Sequence, residues 1–185
     1  MKLILASKSP RRREILGAMG YTFDIVTSEA DETLPEGTTP HDGVELLAIR
    51  KGEAVAPLVD ADAVILSSDT LVDLGGVALG KPEDEEDAFR MLKALSGAVH
   101  YVHTGVAVRC GDTVYSGVDS TAVYFRPLSD EEIRAYIATG EPMDKAGAYG
   151  IQEWIGLVAV EELRGSFFNV MGLPVQRLYG VLKEF

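Results

Sequence analysis

Residues 100–126, HYVHTGVAVRCGDTVYSGVDSTAVYFR, form the stretch of sequence on which the fold of this chain depends. Apolar and polar residues alternate on both sides of Gly111 and Asp112, which predicts two long strands joined by a turn. This pattern is typical of an antiparallel ribbon. On either side of the ribbon the chain alternates between strand and helix patterns, so the sequence predicts an α/β fold with a mixed sheet.

The strands and helices before and after this ribbon are predicted from the hydrophobic periodicity and from turn residues. Upstream, strands are predicted near 2–6, 22–26 and 63–66, and helices near 10–19, 41–55 and 83–94. The tripeptide SSD (67–69) is expected to interrupt the third strand, and TLVDLGGVALG (70–80) predicts a hairpin. Downstream, the sequence predicts a helix capped by Ser129, a glycine-rich loop DKAGAYGIQ (144–152), a strand IGLVAV (155–160) and a closing helix after Pro174.

Composition narrows the class of protein. A chain of 185 residues, 46% of them hydrophobic, is expected to form one domain or two small lobes. No apolar run approaches the roughly 20 residues that span a bilayer, and the N-terminus lacks a signal-peptide pattern, so a soluble cytoplasmic protein is expected. The single Cys110 excludes an internal disulfide, and the net charge of −12 argues against binding of long nucleic acid.

The start of the first predicted helix carries an unusual charge pattern. Ser9 and Pro10 are typical of a helix start, but Arg11, Arg12 and Arg13 follow at once. A helix N-terminus carries roughly half a positive charge and disfavours each cation by about 0.3 to 1 kcal/mol. This turn is therefore predicted to bind an anion. In the alternative interpretation, the arginines pair with carboxylates such as Glu14.

Other polar residues are candidates for chemistry, each with a structural alternative. Asp69 follows an apolar strand, where α/β sheets bind their ligands, or it caps a turn. Lys81 can reach a phosphate or remain solvated. Asp31 and Glu32 can hold a hard divalent cation or only increase solubility. The H-x-x-H pattern formed by His100 and His103 lies on a predicted strand and does not fit a zinc site.

The loop DKAGAYGIQ is a further candidate. Its small residues would let the backbone approach a ligand closely, and Lys145 and Gln152 offer polar groups. Glycines in an ordinary loop would look the same.

Taken together, these segments resemble the Maf family of nucleoside triphosphate pyrophosphatases. The matching motifs occur in the family's order from residue 3 to about residue 178, and they are SKSPRR, SDT, LGKP, LSG with HTGVAV, EPMDKAGAYGIQ and NVMGLP. The resemblance implies a single Maf-like domain over residues 1–185, with an elongated, ITPase-like mixed sheet, flanking helices and two lobes around a central cleft. It also implies a homodimer. After Gln152, the segment EWIGLVAV replaces the family's more usual GRGALFV and is one residue longer.

The resemblance implies an activity as well. Members of the family hydrolyse nucleoside triphosphates between the α and β phosphates with a divalent metal, Mg²⁺ or Mn²⁺, and release the monophosphate and pyrophosphate. Lys145 and Gln152 match the branch acting on dTTP and UTP, and modified pyrimidine nucleotides are further candidate substrates. The chain would then be a nucleoside triphosphate diphosphatase, a hydrolase of phosphorus-containing acid anhydrides.

The same resemblance assigns roles residue by residue. Asp69 matches the proposed proton acceptor, and it could instead hold the metal together with Asp31 or Glu32. The positions that match the phosphate side of the family's pocket are Ser7, Ser9, Arg12 and Lys81. Lys51 matches another basic member of the pocket. The positions that match base selectivity are Arg11, Thr70 and Gln152.

Two alternative functions use the same pocket. One is a nucleotide-binding regulator of septum formation that does not cleave its ligand. The other is a phosphatase that releases single phosphates.

Overall fold

The structure is a computed structural model that describes residues 2–185. Over these residues the chain forms seven strands and seven α-helices. The strands are β1 (Leu3–Leu5), β2 (Phe23–Ile25), β3 (Val64–Leu74), β4 (Val77–Leu79), β5 (Val99–Cys110), β6 (Thr113–Phe125) and β7 (Val160–Arg164). The helices are α1 (Pro10–Ala18), α2 (Pro40–Val55), α3 (Glu85–Leu95), α4 (Asp130–Ile137), α5 (Trp154–Ala159), α6 (Phe167–Met171) and α7 (Val175–Val181).

The strands form one mixed sheet in the order β2-β1-β3-β5-β6-β7, with β4 paired to β3. Strand β1 runs parallel to both of its neighbours, and Leu3 pairs with Phe23 on β2 and with Val64 on β3. Strands β4 and β7 run antiparallel to β3 and β6 respectively. The predicted α/β class with a mixed sheet and flanking helices is confirmed.

The chain divides into two compact units. Unit 1 contains the residues up to Thr70, Thr104–Asp119 and Gly172–Phe185. In this unit α2 packs very closely against the sheet. A Cβ atom added to Gly105 of β5 would lie only 2.2 Å from the carbonyl oxygen of Val44, so the position has no room for a side chain. A Cβ atom on Gly52 would likewise lie 2.9 Å from Ser67 Oγ on β3. Two glycines therefore set the distance between α2 and the strands beneath it.

Unit 2 contains Leu71–His103 and Ser120–Met171. Its core consists of buried apolar side chains from α3, α4 and the strands, among them Leu92, Leu95, Val123 and Ile133. The predicted cap of α4 is confirmed, since Ser129 Oγ accepts a hydrogen bond from Glu132 N and the Glu132 side chain accepts one from Ser129 N. This capping box satisfies two amides that would otherwise lack partners at the helix start.

The SSD segment does not interrupt β3, so that prediction is wrong. The strand continues from Val64 to Leu74 because the buried hydroxyls find backbone acceptors. Ser67 Oγ donates to the carbonyl of Ala48 (2.6 Å), and Ser68 Oγ donates to the carbonyl of Gly172 (3.2 Å). A polar side chain can occupy a buried strand once it is hydrogen-bonded.

The predicted strand over IGLVAV is also wrong. Residues 154–159 form α5, and β7 begins at Val160. A short apolar run has no period that separates a buried strand from a helical segment. The loop DKAGAYGIQ includes a 3₁₀ turn at Ala146–Ala148. Over residues 2–185, none of the helices combines the length and the apolar character that crossing a membrane requires.

Candidate functional site

The turn between β1 and α1 leads into a capped helix start that carries three arginines. Ser9 caps α1, and its hydroxyl accepts a hydrogen bond from Arg12 N (3.4 Å). Ser7 Oγ accepts one from Ser9 N (3.3 Å). The first turn of the helix contains no acidic residue. Within the described chain, no ion pair joins Arg11, Arg12 or Arg13 to a carboxylate. The alternative in which Glu14 or the acidic loop SEADETLPEGT (28–38) neutralises them is therefore not observed.

The Arg12 guanidinium is held by three oxygen atoms from different parts of unit 1. Its Nε donates to the carbonyl of Gly172 (2.8 Å), and its terminal nitrogens donate to Ser7 Oγ (3.2 Å) and Thr70 Oγ1 (3.0 Å). Burial lowers the pKa of Arg12 to about 10, while the nearby Asp69 carboxylate acts to raise it. The group stays cationic at neutral pH. Since a guanidinium has five N–H groups, two remain for a bound anion.

Strand β3 presents functional side chains on both of its faces. Successive side chains of a strand point to opposite sides, so Ser67 and Asp69 face α2 while Ser68 and Thr70 face the other way. Lys51, which follows the buried Ala48 by one turn of α2, forms an ion pair with Asp69. The close approach of α2 at Gly52 therefore brings a cation next to this carboxylate.

Lys51 also joins Asp69 to the acidic loop. Its Nζ lies 2.9 Å from Glu32 Oε1. The Asp69 side chain is 13% exposed and that of Glu32 is 65% exposed, so the cluster has one partly buried and one exposed carboxylate. Arg50 holds the loop on either side of Glu32 by donating to the carbonyls of Asp31 (3.2 Å) and Thr33 (2.6 Å). The loop backbone is thereby fixed where Glu32 reaches Lys51.

Asp31 does not join this carboxylate cluster. Its carboxylate accepts a hydrogen bond from Thr33 N (2.9 Å), and this bond lowers the pKa of Asp31. Over residues 2–185, no group of three or more His, Cys, Asp or Glu side chains could hold a metal ion. Magnesium usually binds through one or two carboxylates and completes its shell with substrate phosphates and water. Glu32 and Asp69 fit such a site.

Three of the predicted site residues belong to unit 2. Lys81 is exposed just before α3, and no hydrogen bond or ion pair holds its side chain within residues 2–185. Gln152 is exposed and lines a cavity of about 310 Å³ whose other walls include Ile151, Leu157 and Phe167. Lys145 is buried. Its ammonium lies within 2.8 Å of Glu141 O, Asp144 Oδ1 and Glu153 Oε1.

Sequence reasoning missed several residues that shape these groups. Gly172 has φ of +112°, and a Cβ atom there would lie 3.4 Å from Arg12 Nε. Its signals in the sequence were its position directly before Leu173 and Pro174 and its place in the motif NVMGLP (169–174). Thr104, whose hydroxyl lies 2.9 Å from Thr70 Oγ1, lies in the motif HTGVAV but was not recognised as a site residue. Arg50 gave no signal, because its partners are remote in sequence.

Comparison with known proteins gives a consistent result over the whole chain. The family model described as Maf-like protein matches residues 2–185. A protein of Pelotomaculum thermopropionicum named dTTP/UTP pyrophosphatase is 48% identical over 188 residues, covering 100% of this chain and 96% of its own. A protein of Alkaliphilus metalliredigens with the same name is 49% identical over 185 residues, covering 99% of this chain and 95% of its own.

Among solved structures, the Staphylococcus aureus Ham1 protein superimposes with a TM-score of 0.53 at 15% sequence identity. The match covers 100% of this chain and 99% of the Ham1 chain. At this level of identity the similarity supports the fold.

Proposed function

Because the chain belongs to the Maf-like protein family, we propose that it is a nucleoside triphosphate pyrophosphatase that hydrolyses dTTP and UTP to the monophosphate and pyrophosphate. The observation that carries the proposal is the arrangement in unit 1 of the Arg12 guanidinium, the α1 N-terminus and the Asp69–Lys51 pair. The name shared by the two full-length relatives supports the choice of substrate. Modified pyrimidine triphosphates belong to the same substrate class.

Phosphate binding is assigned to the cationic groups. A triphosphate carries about four negative charges, and its cleavage depends mainly on positioning and on neutralisation of charge. Arg12 has two N–H groups free for phosphate oxygens, and it lies in the first turn of α1, where the helix dipole favours an anion. Ser7 and Ser9 orient this turn. Lys81 is assigned a phosphate contact, as the resemblance implies, and its exposed side chain is available for one.

Asp69 is assigned the role of the general base that accepts a proton from the attacking water. The water oxygen forms a bond to the α-phosphorus, and the bond from that phosphorus to the α–β bridging oxygen breaks. Pyrophosphate leaves with the electron pair, and the proton of the water passes to the Asp69 carboxylate. Lys51 holds this carboxylate in one orientation through its ion pair.

A divalent cation, Mg²⁺ or Mn²⁺, belongs to the proposal, with Glu32 and Asp69 as its protein ligands. When bound, such a cation neutralises phosphate charge and lowers the pKa of a bound water. Asp31 is the less suitable ligand, since it does not join the cluster in which Lys51 pairs with both Glu32 and Asp69.

Base recognition is assigned mainly to Gln152. Its amide both donates and accepts hydrogen bonds, which matches the edge of uracil or thymine. Arg11 and Thr70 are retained as further selectivity residues, as the resemblance implies. A homodimer in the cytoplasm completes the proposal.

The direct test is turnover of UTP with Mg²⁺, followed by separate assays for pyrophosphate and orthophosphate. We expect UMP and pyrophosphate in equal amounts, and we expect chelation by EDTA to stop their release. Asp69→Asn should lower kcat by about 100-fold or more at unchanged thermal stability, whereas the exposed turn variant Asp112→Asn should match the wild type. Tight binding of UTP without product would identify a regulator, and orthophosphate as the first product would identify a phosphatase.

A further inference from the structure

Lys145 lies at the centre of a buried polar network in unit 2. The side chain of Lys145 is 8% exposed and that of Glu153 is 13% exposed, and the two groups form an ion pair of 2.7 Å. The remaining Lys145 N–H groups have acceptors in Glu141 O (2.6 Å) and Asp144 Oδ1 (2.8 Å). An ammonium has three N–H groups, so all of them are used within the protein.

Tyr136 completes this network from α4. Its hydroxyl donates to the second carboxylate oxygen of Glu153 and accepts a hydrogen bond from Gly150 N (3.2 Å). Burial and the Glu153 carboxylate both raise the pKa of Tyr136, so the hydroxyl keeps its proton and remains a donor. Glu153 is therefore held at both oxygens by groups that are themselves buried.

The network contacts both ends of a tight turn, Gly150 and Glu153. Glu153 N donates to Gly150 O (3.0 Å), which places Ile151 and Gln152 at the two central positions of the turn. A Cβ atom on Gly150 would lie 2.8 Å from Glu153 Cδ and 2.9 Å from Lys145 Cε. The backbone at Gly150 thus packs directly against the ion pair, and Glu153 immediately follows Gln152 in the chain.

We propose that Glu153 is a positioning residue that fixes Gln152 for base discrimination, with Lys145 acting through Glu153. This inference rests on the proposed pyrophosphatase function. The exposed Gln152 has no hydrogen bond of its own to hold it within residues 2–185, so its placement depends on the turn that carries it. If Glu153 loses its charge, the buried Lys145 keeps only the largely exposed Asp144 as a carboxylate partner, and the turn loses the ion pair that packs against Gly150.

The first test measures the turn itself, with no need for turnover. Hydrogen exchange of the full chain should show the Gly150 and Glu153 amides exchanging about 10-fold faster in Glu153→Gln than in the wild type. The amides in the centre of α4 should keep their protection. Wild-type exchange rates at residues 150 and 153 in this variant would overturn the proposal.

The second test measures base choice. We expect Glu153→Gln to raise KM for UTP about 10-fold with kcat changed less than about threefold, and to lower the UTP/CTP ratio of kcat/KM about 10-fold. Gln152→Glu should lower the same ratio, whereas the exposed control Glu161→Gln should not. Lys145→Met should resemble Glu153→Gln, and the double variant should be no worse than either, since the two charges act as one unit.

These outcomes separate the inference from the function on which it rests. Wild-type protein that releases no pyrophosphate from UTP would contradict the proposed function, while the exchange measurement would still report on the turn. Faster exchange with an unchanged UTP/CTP ratio would show that the network only stabilises unit 2, and would overturn the role in base choice. If Glu153→Gln lowers only kcat, as a smaller folded fraction would, the role in base choice would also be overturned.

Discussion

The Nε of Arg12 donates a hydrogen bond of 2.8 Å to the carbonyl oxygen of Gly172, 160 residues further along the chain. Ser68 Oγ donates to the same carbonyl (3.2 Å), so this oxygen links α1 and β3 to the segment that begins at Gly172. A guanidinium is planar, and fixing its Nε fixes the directions of its remaining N–H groups. The orientation of the proposed phosphate-binding arginine therefore depends on a glycine near the end of the chain.

Arg12→Ala should weaken triphosphate binding far more than monophosphate binding. Hydrogen bonds to charged groups contribute about 1.5 to 3 kcal/mol, so KM for UTP should rise about 10- to 100-fold. Inhibition by UMP should change much less, because Arg12 is assigned to the leaving phosphates. Steady-state kinetics with UMP as inhibitor measures both effects. The neighbouring exposed Arg13→Ala provides the control, and it should leave both constants unchanged.

If Arg12→Ala weakened the binding of UTP and of UMP equally, Arg12 would not contact the pyrophosphate group. Circular dichroism of Arg12→Ala shows whether the variant is still folded. Ser68 still donates to the Gly172 carbonyl in the variant, so we expect unit 1 to remain folded.

Local signals in the sequence predicted the features that depend on short stretches of chain. The Ser9 cap of α1, the long ribbon of β5 and β6 and the Ser129 cap of α4 all follow from residues within a few positions of one another. Each of them is indicated by a hydrophobic period or a capping pattern in the local sequence, so it can be predicted without knowledge of tertiary contacts.

The features that sequence did not predict depend on remote partners. The run IGLVAV is helical up to Ala159 because its apolar side chains pack into the core of unit 2, where Ile155 and Ala159 are fully buried. The sequence showed that Lys145 is polar, but it did not indicate that Lys145 forms a buried ion pair with Glu153. Nothing in the acidic loop indicated that Arg50 would hold the backbone around Glu32.

Gly105→Ala should destabilise the protein strongly. The added Cβ would lie 2.2 Å from the Val44 carbonyl, so α2 would have to move away from β5. Overpacking of this kind typically costs about 1 to 3 kcal/mol, and backbone on both sides leaves little room to relax. The free energy of unfolding in urea measures the loss.

Gly17→Ala is the matched control for this substitution. Gly17 lies in α1 with a helical backbone, and a Cβ atom added there would have no other atom within 4 Å. Replacing a helical glycine by alanine in open space should stabilise the protein by up to about 1 kcal/mol. Equal effects of the two substitutions would contradict the close contact between α2 and β5.

The buried His100 should make stability depend on pH between about 6.5 and 4. His100 is 0% exposed, its Nε2 lies 2.7 Å from the Tyr149 hydroxyl, and its Nδ1 has no hydrogen-bond partner within the described residues. Burial lowers the pKa of His100 from 6.5 to about 4. Between these values the unfolded chain binds a proton that the folded protein does not, so stability falls as pH falls.

His100→Gln should remove this part of the pH dependence, because glutamine does not titrate. The wild type should therefore lose on the order of 3 kcal/mol more than the variant between pH 7.5 and pH 4, as the difference between the two pKa values requires. Urea unfolding at several pH values measures this difference. Tyr149→Phe removes the hydroxyl partner but leaves the ring buried, so it should keep the wild-type slope. A constant difference between the wild type and His100→Gln from pH 7.5 to 4 would show that burial does not hold His100 neutral in the folded protein.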